Sequence, residues 1–506
     1  MNLEKYFEKY ALNISGHDAV IKTPYGTKKL IYADWTASGR EYSPIEHLLV
    51  NKIGPYIGNT HTETSFTGSV MTKAYAKAKK TIKDHVHANE DDVLLFCGSG
   101  MTGAINKLQR MLGIRYPERV KSFTRRKNPL VQFLSGIRVP KHMRPVVFIS
   151  HMEHHSNHTS WLETIADVEI VRCNAEGLVC LETFEKTVAK YKHRKLKIAS
   201  ITACSNVTGI ITPYHEVAEI IHKYNGYCIV DFACSAPYVQ IDMHPENEAQ
   251  CLDAICFSPH KFLGGPATPG VLIFNKKLYL NSVPDNPGGG TVLYTTPWKF
   301  HAYIEDVEER EDGGTPPFLQ GIKTAMAVKL KEKMGMKNIK DREKELTQMV
   351  FDFTDIHPKI NILADHIKDR LPIFSFFIDG IHYNLLVRIL NDRFGIQMRG
   401  GCACAGTYGH ILLHLNQDES MRIYNQIIGN DNSERPGWVR MSLHPTVSNK
   451  EVQFILDALC EVADRIEEWE KDYTYDKRKN SFYHNTKQCQ AIEKEQVEEW
   501  YNEVLA

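Results

Sequence analysis

The sequence predicts an α/β protein: a large domain with a mainly parallel sheet of the seven-stranded type flanked by helices, joined to a smaller C-terminal α+β domain. Three observations carry this. Short β-rich runs alternate with helical patterns from about residue 29 to residue 275. A glycine-rich turn, Cys97-Gly98-Ser99-Gly100-Met101-Thr102-Gly103-Ala104, follows one such run and opens a helix. After Gly313-Gly314-Thr315-Pro316-Pro317 the alternation gives way to long helical stretches.

Residues 1–28 read as an N-terminal segment, and 29–300 as the large domain. Its strands are expected at Lys29 to Asp34, Asp92 to Phe96, Pro145 to Ser150, Val168 to Cys173, Ile198 to Cys204, Tyr227 to Asp231, Ala254 to Phe257 and Val271 to Phe274. Leu181 to Tyr191 and Tyr214 to Tyr224 place apolar residues at helical spacing, and Gly226 stands where a C-terminal cap falls. The basic, proline-containing stretch Arg115 to Arg144 reads as an insertion over the surface. The smaller domain, 301–471, opens with a helix to about Gly335 and another from Asp341 to Asp355. There follow a strand at Ile373 to Ile378, a helix at Tyr383 to Phe394, a strand at Trp438 to Leu443 and a closing helix from Glu451 to about Lys471. The polar residues 472–506 read either as a frayed tail or as a helix docked on a partner.

Composition narrows the function. With 506 residues, 42% of them hydrophobic and 24% charged, the chain has the make-up of a soluble globular protein with a sizeable core. Lys plus Arg equals Asp plus Glu at 61 each, so no net charge argues for nucleic acid or an anionic membrane, and a small substrate is expected. The first residues hold no apolar core of signal-peptide length, and no stretch approaches the roughly 20 apolar residues that span a bilayer, so a cytoplasmic location is expected. Twelve cysteines lack the density of a disulfide scaffold and the paired spacing of structural zinc; reduced thiols are expected, with no metal site.

Cys256-Phe257-Ser258-Pro259-His260-Lys261, downstream of Asp231-Phe232-Ala233, resembles a pyridoxal-phosphate lysine site. Such a lysine sits at a strand end beside a phosphate cradle, with a carboxylate elsewhere to keep the pyridine nitrogen protonated. Lys261 and Asp231 supply these two roles. The turn containing Gly100, Met101 and Thr102 offers backbone N–H groups and a helix dipole to a phosphate, and Ser258 and His260 complete the cradle from the other side. Taken alone the glycine turn is equally well explained as turn chemistry, and most lysines are surface charges. The order of motifs carries the argument.

That order resembles the cysteine desulfurase and selenocysteine lyase-like branch of the class V aminotransferases, fold-type I pyridoxal 5'-phosphate enzymes, from about residue 30 to about residue 465. The resemblance is carried by Tyr32-Ala33-Asp34-Trp35-Thr36-Ala37-Ser38, Asn59-Thr60-His61, Glu153-His154-His155-Ser156-Asn157, Ser205-Asn206-Val207-Thr208-Gly209 and Asp231-Phe232-Ala233-Cys234. It implies that His154 stacks on the cofactor ring and carries protons, that His61 faces the site, and that Asn206 donates to the substrate carboxylate or a cofactor oxygen. Ala233 would lie under the ring. Cys234 departs from the pattern, standing where many members have a glutamine that hydrogen-bonds the cofactor's phenolic oxygen; a thiol is a poorer donor. Pro287-Gly288-Gly289-Gly290-Thr291 and Glu311-Asp312-Gly313-Gly314-Thr315-Pro316 resemble two family loops, the first of which reaches a neighbouring subunit's phosphate; this implies a homodimer with shared sites and a cofactor contact from Thr291.

In the C-terminal domain, Arg399-Gly400-Gly401-Cys402-Ala403-Cys404-Ala405-Gly406 matches the family's mobile loop, with Cys404 as the thiol that takes sulfur from substrate. The flanking glycines argue against a packed strand there. Cys402 stays unassigned, and a Cys402–Cys404 disulfide is disfavoured, because residues two apart in an extended segment are too far apart. Arg440, in Val439-Arg440-Met441-Ser442-Leu443, resembles the arginine that grips the substrate carboxylate, with Arg399 assisting. The resemblance thus implies conversion of L-cysteine, or selenocysteine, to alanine, and a possible protein sulfur acceptor. The same fold serves epimerases of the isopenicillin N type, other carbon–sulfur lyases and kynureninase-like hydrolases, and a catalytically inactive sulfur-relay or scaffold protein is the alternative of a different class.

Overall fold

The computed structural model describes residues 2–119, 140–486 and 488–504. Residues 120–139 of the expected insertion lie outside the described residues. The chain divides into two compact units. The large unit comprises Ser38–Ser205 and Ile211–Met336, and the C-terminal unit Met1–Ala37, Asn206–Ile210 and Lys337–Ala506.

Seven strands build the large unit's sheet: β1 (Asp92–Cys97), β2 (Val146–Ser150), β3 (Asp167–Val171), β4 (Lys197–Thr202), β5 (Tyr227–Asp231), β6 (Ala254–Phe257) and β7 (Gly270–Asn275). Their order is β1-β7-β6-β5-β4-β2-β3; β7 runs antiparallel to both neighbours and the other pairs are parallel. Every residue of β2, β4 and β6 is buried, so these strands read as continuous runs; alternation would mark a sheet with one wet face. Leu95, Ile105, Leu108, Ile149, Trp161, Ile198, Ile229 and Leu272 belong to one core cluster. The register sets Cys97 opposite Gly270, Phe257 opposite Val271 and Asp231 beside Cys256, which brings the carboxyl ends of β1, β5 and β6 to one edge. In open α/β sheets that edge is where ligands bind.

The expected division near residue 300 falls instead at Met336. The helix Phe318–Met334 packs along Phe66–His85 of the large unit, and a Cβ on Gly321 would stand 2.8 Å from the Phe96 ring. Periodicity announces such a helix but not the surface it covers. The expected strand Lys29 to Asp34 is also corrected. Gly26–Lys29 pairs with Val20–Thr23 as a hairpin, and Ile31–Tyr32 runs parallel to Ile396–Gln397, inside the C-terminal unit.

That unit holds a four-stranded antiparallel sheet in the order Ile360–Ile362, Ile373–Ile378, Trp438–Ser442, Arg399–Gly401. Leu346, Phe374, Leu386, Val439, Met441, Ile455 and Leu459 share its core. The closing helix Asn449–Trp469 starts at a capping box, Ser448 with Glu451. Within the polar residues 472–506 the chain makes regular structure. Tyr473–Asp476 and Ser481–His484 form a hairpin held to their own unit by Tyr25 and Arg393 on Asp472 (2.7 and 2.8 Å) and by Asn480 Nδ2 on the Tyr383 hydroxyl (2.7 Å). A helix, Gln488–Glu503, follows. Among the described residues no helix is long and apolar enough to cross a membrane.

Gly270 marks a tight spot beside the functional edge, because a Cβ there would lie 1.9 Å from the Gly100 carbonyl oxygen and 2.8 Å from that of Cys97. Both are backbone atoms with no rotamer to yield. Gly270→Ala should therefore lower the urea midpoint by the equivalent of about 1–3 kcal/mol. Gly288→Ala, with open space around its Cβ, should change it by less than about 0.5 kcal/mol.

Candidate active site

On the shared edge of the large unit, Asp231 ends β5 with its side chain buried, and its Oδ1 accepts the Ala233 N–H at 2.7 Å. Burial raises its pKa from 3.8 to about 6, opposed by that hydrogen bond and by the charge of Lys261. A carboxylate placed so deeply calls for a cationic partner. Lys261 ends the single 3-10 turn Pro259–Lys261 directly after β6. Its neighbour His260 is pushed down to about 4 by burial and by the Lys261 charge, so its imidazole is neutral at pH 7.

The glycine turn after β1 meets the segment after β6. Ser258 Oγ accepts the Met101 N–H at 2.9 Å, and a Cβ on Gly100, whose φ is +58°, would fall 2.7 Å from His260 Cε1 and 2.8 Å from Ser258 Oγ. Ser99 gives the helix Gly100–Met111 no side-chain cap; the Met101 N–H is taken by Ser258 and the Gly100 N–H by the Gly98 carbonyl. Thr102 Oγ1 lies 2.6 Å from Ser156 Oγ, and Ser156 Oγ lies 3.1 Å from His154 Nδ1. His154 caps the helix His155–Leu162, with Nδ1 accepting the Ser156 N–H at 3.1 Å. A backbone N–H only donates, so Nδ1 carries no proton and the ring proton is on Nε2.

Glu153 and Asn157 are the residues that sequence reasoning left without a role. Glu153 is fully enclosed, and burial raises its pKa to about 7 against hydrogen bonds from Ser150, the Thr202 N–H (3.0 Å) and Asn157 Nδ2 (2.7 Å). Asn157 Oδ1 in turn accepts from Ser200 Oγ at 2.6 Å and Trp161 Nε1 at 3.0 Å. This network ties the loop bearing His154 to the ends of β2 and β4. The four-residue spacing of Glu153 and Asn157 was its one visible signal.

These residues fit pyridoxal 5'-phosphate: a buried carboxylate for the pyridine nitrogen, an adjacent lysine for the aldehyde, and a glycine turn at a helix N-terminus whose missing Cβ lets it approach Ser258 and His260. Cys234 does not replace the glutamine's function, since its thiol is directed to the Cys204 carbonyl at 3.2 Å.

In the C-terminal unit, Asp34 lies beside Ser442, placed there by the pairing of Ile31–Tyr32 and by Ser442 N–H to Ala33 O (2.7 Å). Its Oδ1 accepts Arg440 Nη2 at 2.6 Å and its Oδ2 accepts Arg399 Nε at 3.1 Å; the two arginines face each other across paired strands. Arg440 is 3% exposed, and its Nε is buried with no partner among the described residues, a donor suited to a carboxylate. Asn206 is also buried. Its Nδ2 donates to Ala403 O at 2.7 Å, and its own carbonyl accepts Arg440 Nη1 at 3.2 Å. Gly400 and Gly401 lie in an edge strand, contrary to the expected loop, because they pair with Val439 and Trp438; a Cβ on Gly400 would be 2.3 Å from Asn384 Oδ1, so that side chain would have to shift. Cys402 to Ala405 form the turn that follows. Ala403 and Cys404 both have left-handed φ, +50° and +57°, and Cys404 is exposed. Cys402 and Cys404 are free thiols.

His61 and Thr291 both lie on loops of the large unit. His61 is exposed in a left-handed turn, with its Nε2 3.5 Å from where a Gly290 Cβ would be. Thr291 is fully buried and donates its hydroxyl to Gly288 O at 2.7 Å, a bond within its own loop.

An aminotransferase class-V family model matches residues 134–455, more than half of the sequence, and the chain belongs to that family. It is therefore an enzyme dependent on pyridoxal 5'-phosphate. Among curated relatives, a probable cysteine desulfurase of Halalkalibacterium halodurans is 28% identical over 385 residues, 74% of this chain and 84% of the relative. One of Staphylococcus aureus is 26% identical over 382 residues, 75% and 84% of the two chains. Among solved structures, the cysteine desulfurase of Thermococcus onnurineus superposes with a TM-score of 0.69 at 21% identity, covering 90% of this chain and 98% of that one. The cysteine desulfurase CsdA of Escherichia coli gives 0.64 at 19%, covering 86% and 94%. At these identities the structures establish a common fold.

The raised pKa of Asp231 has a thermodynamic sign. Because the folded value of about 6 exceeds 3.8, ionising Asp231 in the cofactor-free protein destabilises it; the loss is absent below about pH 4 and complete above about pH 6. Asp231→Asn should make the cofactor-free protein more stable at about pH 8, by up to about 3 kcal/mol in urea unfolding, with the difference vanishing below about pH 4. The same variant should bind pyridoxal 5'-phosphate more weakly, read by cofactor titration.

Proposed function

We propose that the enzyme is a cysteine desulfurase: it converts L-cysteine, or selenocysteine, to alanine and takes the sulfur onto Cys404. The observation that carries this is Cys404 itself, an exposed thiol at a left-handed turn in the same unit as the carboxylate-binding pair Arg440 and Arg399. The relatives described as probable cysteine desulfurases support the same reading.

Arg440 binds the substrate carboxylate through its unpartnered Nε, with Asp34 fixing the guanidinium plane from the other side. Asp231 would hold the pyridine nitrogen, Ser258 and the Gly100–Thr102 turn would hold the phosphate, and Ala233 would leave room for the ring. When bound, the cofactor would supply an electron sink for the substrate's α-carbon. Lys261 would remove the α-proton, and His154 would offer a proton at Nε2. The Cys404 thiolate attacks the substrate sulfur; the carbon–sulfur bond breaks, its electron pair and a proton remain with carbon as alanine, and Cys404 becomes a persulfide. Atoms balance as cysteine plus thiol giving alanine plus persulfide. A protein acceptor of that sulfur, a homodimer in which Thr291 and its loop serve the neighbouring site, a substrate contact from His61 and a cytoplasmic location complete the reading.

Mass spectrometry of the enzyme with L-cysteine, alongside Lys261→Ala and Cys404→Ser, tests it. The expected result is alanine with one added sulfur on Cys404, both absent in Lys261→Ala, and no turnover in Cys404→Ser. Alanine formation that survives Cys404→Ser would overturn Cys404 as acceptor; a Lys261-bound cofactor without alanine would favour the epimerase or other lyase chemistry.

A further inference from the structure

The side chain that the family resemblance gives to the substrate is occupied within the protein. Asn206 Nδ2 donates to the carbonyl of Ala403, the residue immediately before the exposed thiol, at 2.7 Å. The same residue's carbonyl accepts Arg440 Nη1 at 3.2 Å, and Arg440 is anchored on Asp34, which also holds Arg399. A continuous chain of hydrogen bonds therefore runs from the two arginines through Asn206 to the peptide that carries Cys404.

Both ends of this chain are built for the purpose. Asn206 sits on a segment locked into the C-terminal unit: Ser375 Oγ donates to Val207 O at 2.7 Å, Leu371 N–H donates to Gly209 O at 2.9 Å, and a Cβ on Gly209 would be 2.4 Å from Leu371 O. The thiol's turn, in contrast, holds two adjacent non-glycine residues in left-handed conformation, which persists only where surrounding contacts over-determine it. Ala405 N–H to Cys402 O (3.0 Å) closes the turn from within. Asn206 fastens it from outside, and Thr208 Oγ1 stands 3.4 Å from the hydroxyl of Tyr408 on the helix Gly406–Leu412 that follows.

We infer that Asn206 is a positioning residue for Cys404: its amide holds the turn in the conformation that presents the thiol and couples that conformation to occupancy of the carboxylate site at Arg440. The inference rests on Cys404 being the sulfur acceptor. It gives Asn206 a role distinct from substrate binding, because its amide donor is directed at the Ala403 carbonyl.

The test uses the cofactor-loaded enzyme and follows iodoacetamide alkylation of the Cys404 peptide by mass spectrometry, with and without L-alanine, which brings an α-carboxylate but no sulfur. In the parent enzyme L-alanine should change the Cys404 alkylation rate. In Asn206→Ala the substrate-free rate should rise about fivefold, the factor that one lost hydrogen bond carries, and its response to L-alanine should disappear. Asn206→Asp, which keeps the shape and loses the donor, should behave alike and decides the matter if the alanine variant does not fold; the cofactor absorbance spectrum reports folding in each. Unchanged alkylation in both variants, with only a raised KM for L-cysteine, would make Asn206 a substrate contact alone and overturn the inference. Alanine formation from L-cysteine is measured in parallel. If the parent enzyme forms none while Cys404 alkylation still follows Asn206, the desulfurase reading fails and the tie stands.

Discussion

The large unit is organised around the burial of one carboxylate. Asp231 ends a strand that is flanked on both sides by parallel partners, so its side chain emerges where water is already excluded. The N–H of Ala233 and the charge of Lys261 offset part of the desolvation, and the pKa of about 6 shows that they do not offset all of it. A protonated pyridine ring would answer the remaining demand. Around Asp231 the strand ends gather further polar groups: the turn after β1 brings the N-terminus of the helix Gly100–Met111, and the turn after β6 brings Lys261, His260 and Ser258.

A second carboxylate organises the C-terminal unit in a different way. Asp34 divides its two oxygens between Arg440 and Arg399, so that two cations and one anion leave a single positive charge for a ligand. Asn206 extends this arrangement to Ala403 and the turn of Cys404. The two arginines and the turn of the exposed thiol thus share one hydrogen-bonded framework, built from segments that are far apart in sequence.

Buried polar groups elsewhere serve rigidity. Glu153 gathers hydrogen bonds from Ser150, Thr202 and Asn157, and so holds the cap of the helix whose first residues carry His154 and Ser156. The fixed Nδ1 acceptor defines the tautomer of His154 before any ligand arrives. The hairpin 473–484, built on Asn480 and Tyr383, adds an outer support to the C-terminal unit and lies beyond the part of the chain that matches the family.

The sequence by itself determined the alternation of strands and helices and the glycine turn around Gly100, and it nominated Lys261, Asp231, His154, Arg440 and Cys404, because each is written in local pattern or in a short contiguous motif. It could not determine partners that meet across hundreds of residues. Asp34 finds Arg440 406 positions away, and Asn206 finds Ala403 197 positions away; no local periodicity records either contact. For the same reason Ile31–Tyr32 looked like part of the large sheet although its pairing partner is Ile396–Gln397. Gly400-Gly401 looked like a loop although it pairs with Val439 and Trp438 in a strand. Local conformation follows from side-chain pattern, whereas pairing, burial and the resulting charge balance are properties of the assembled fold, and only the tertiary structure decided them.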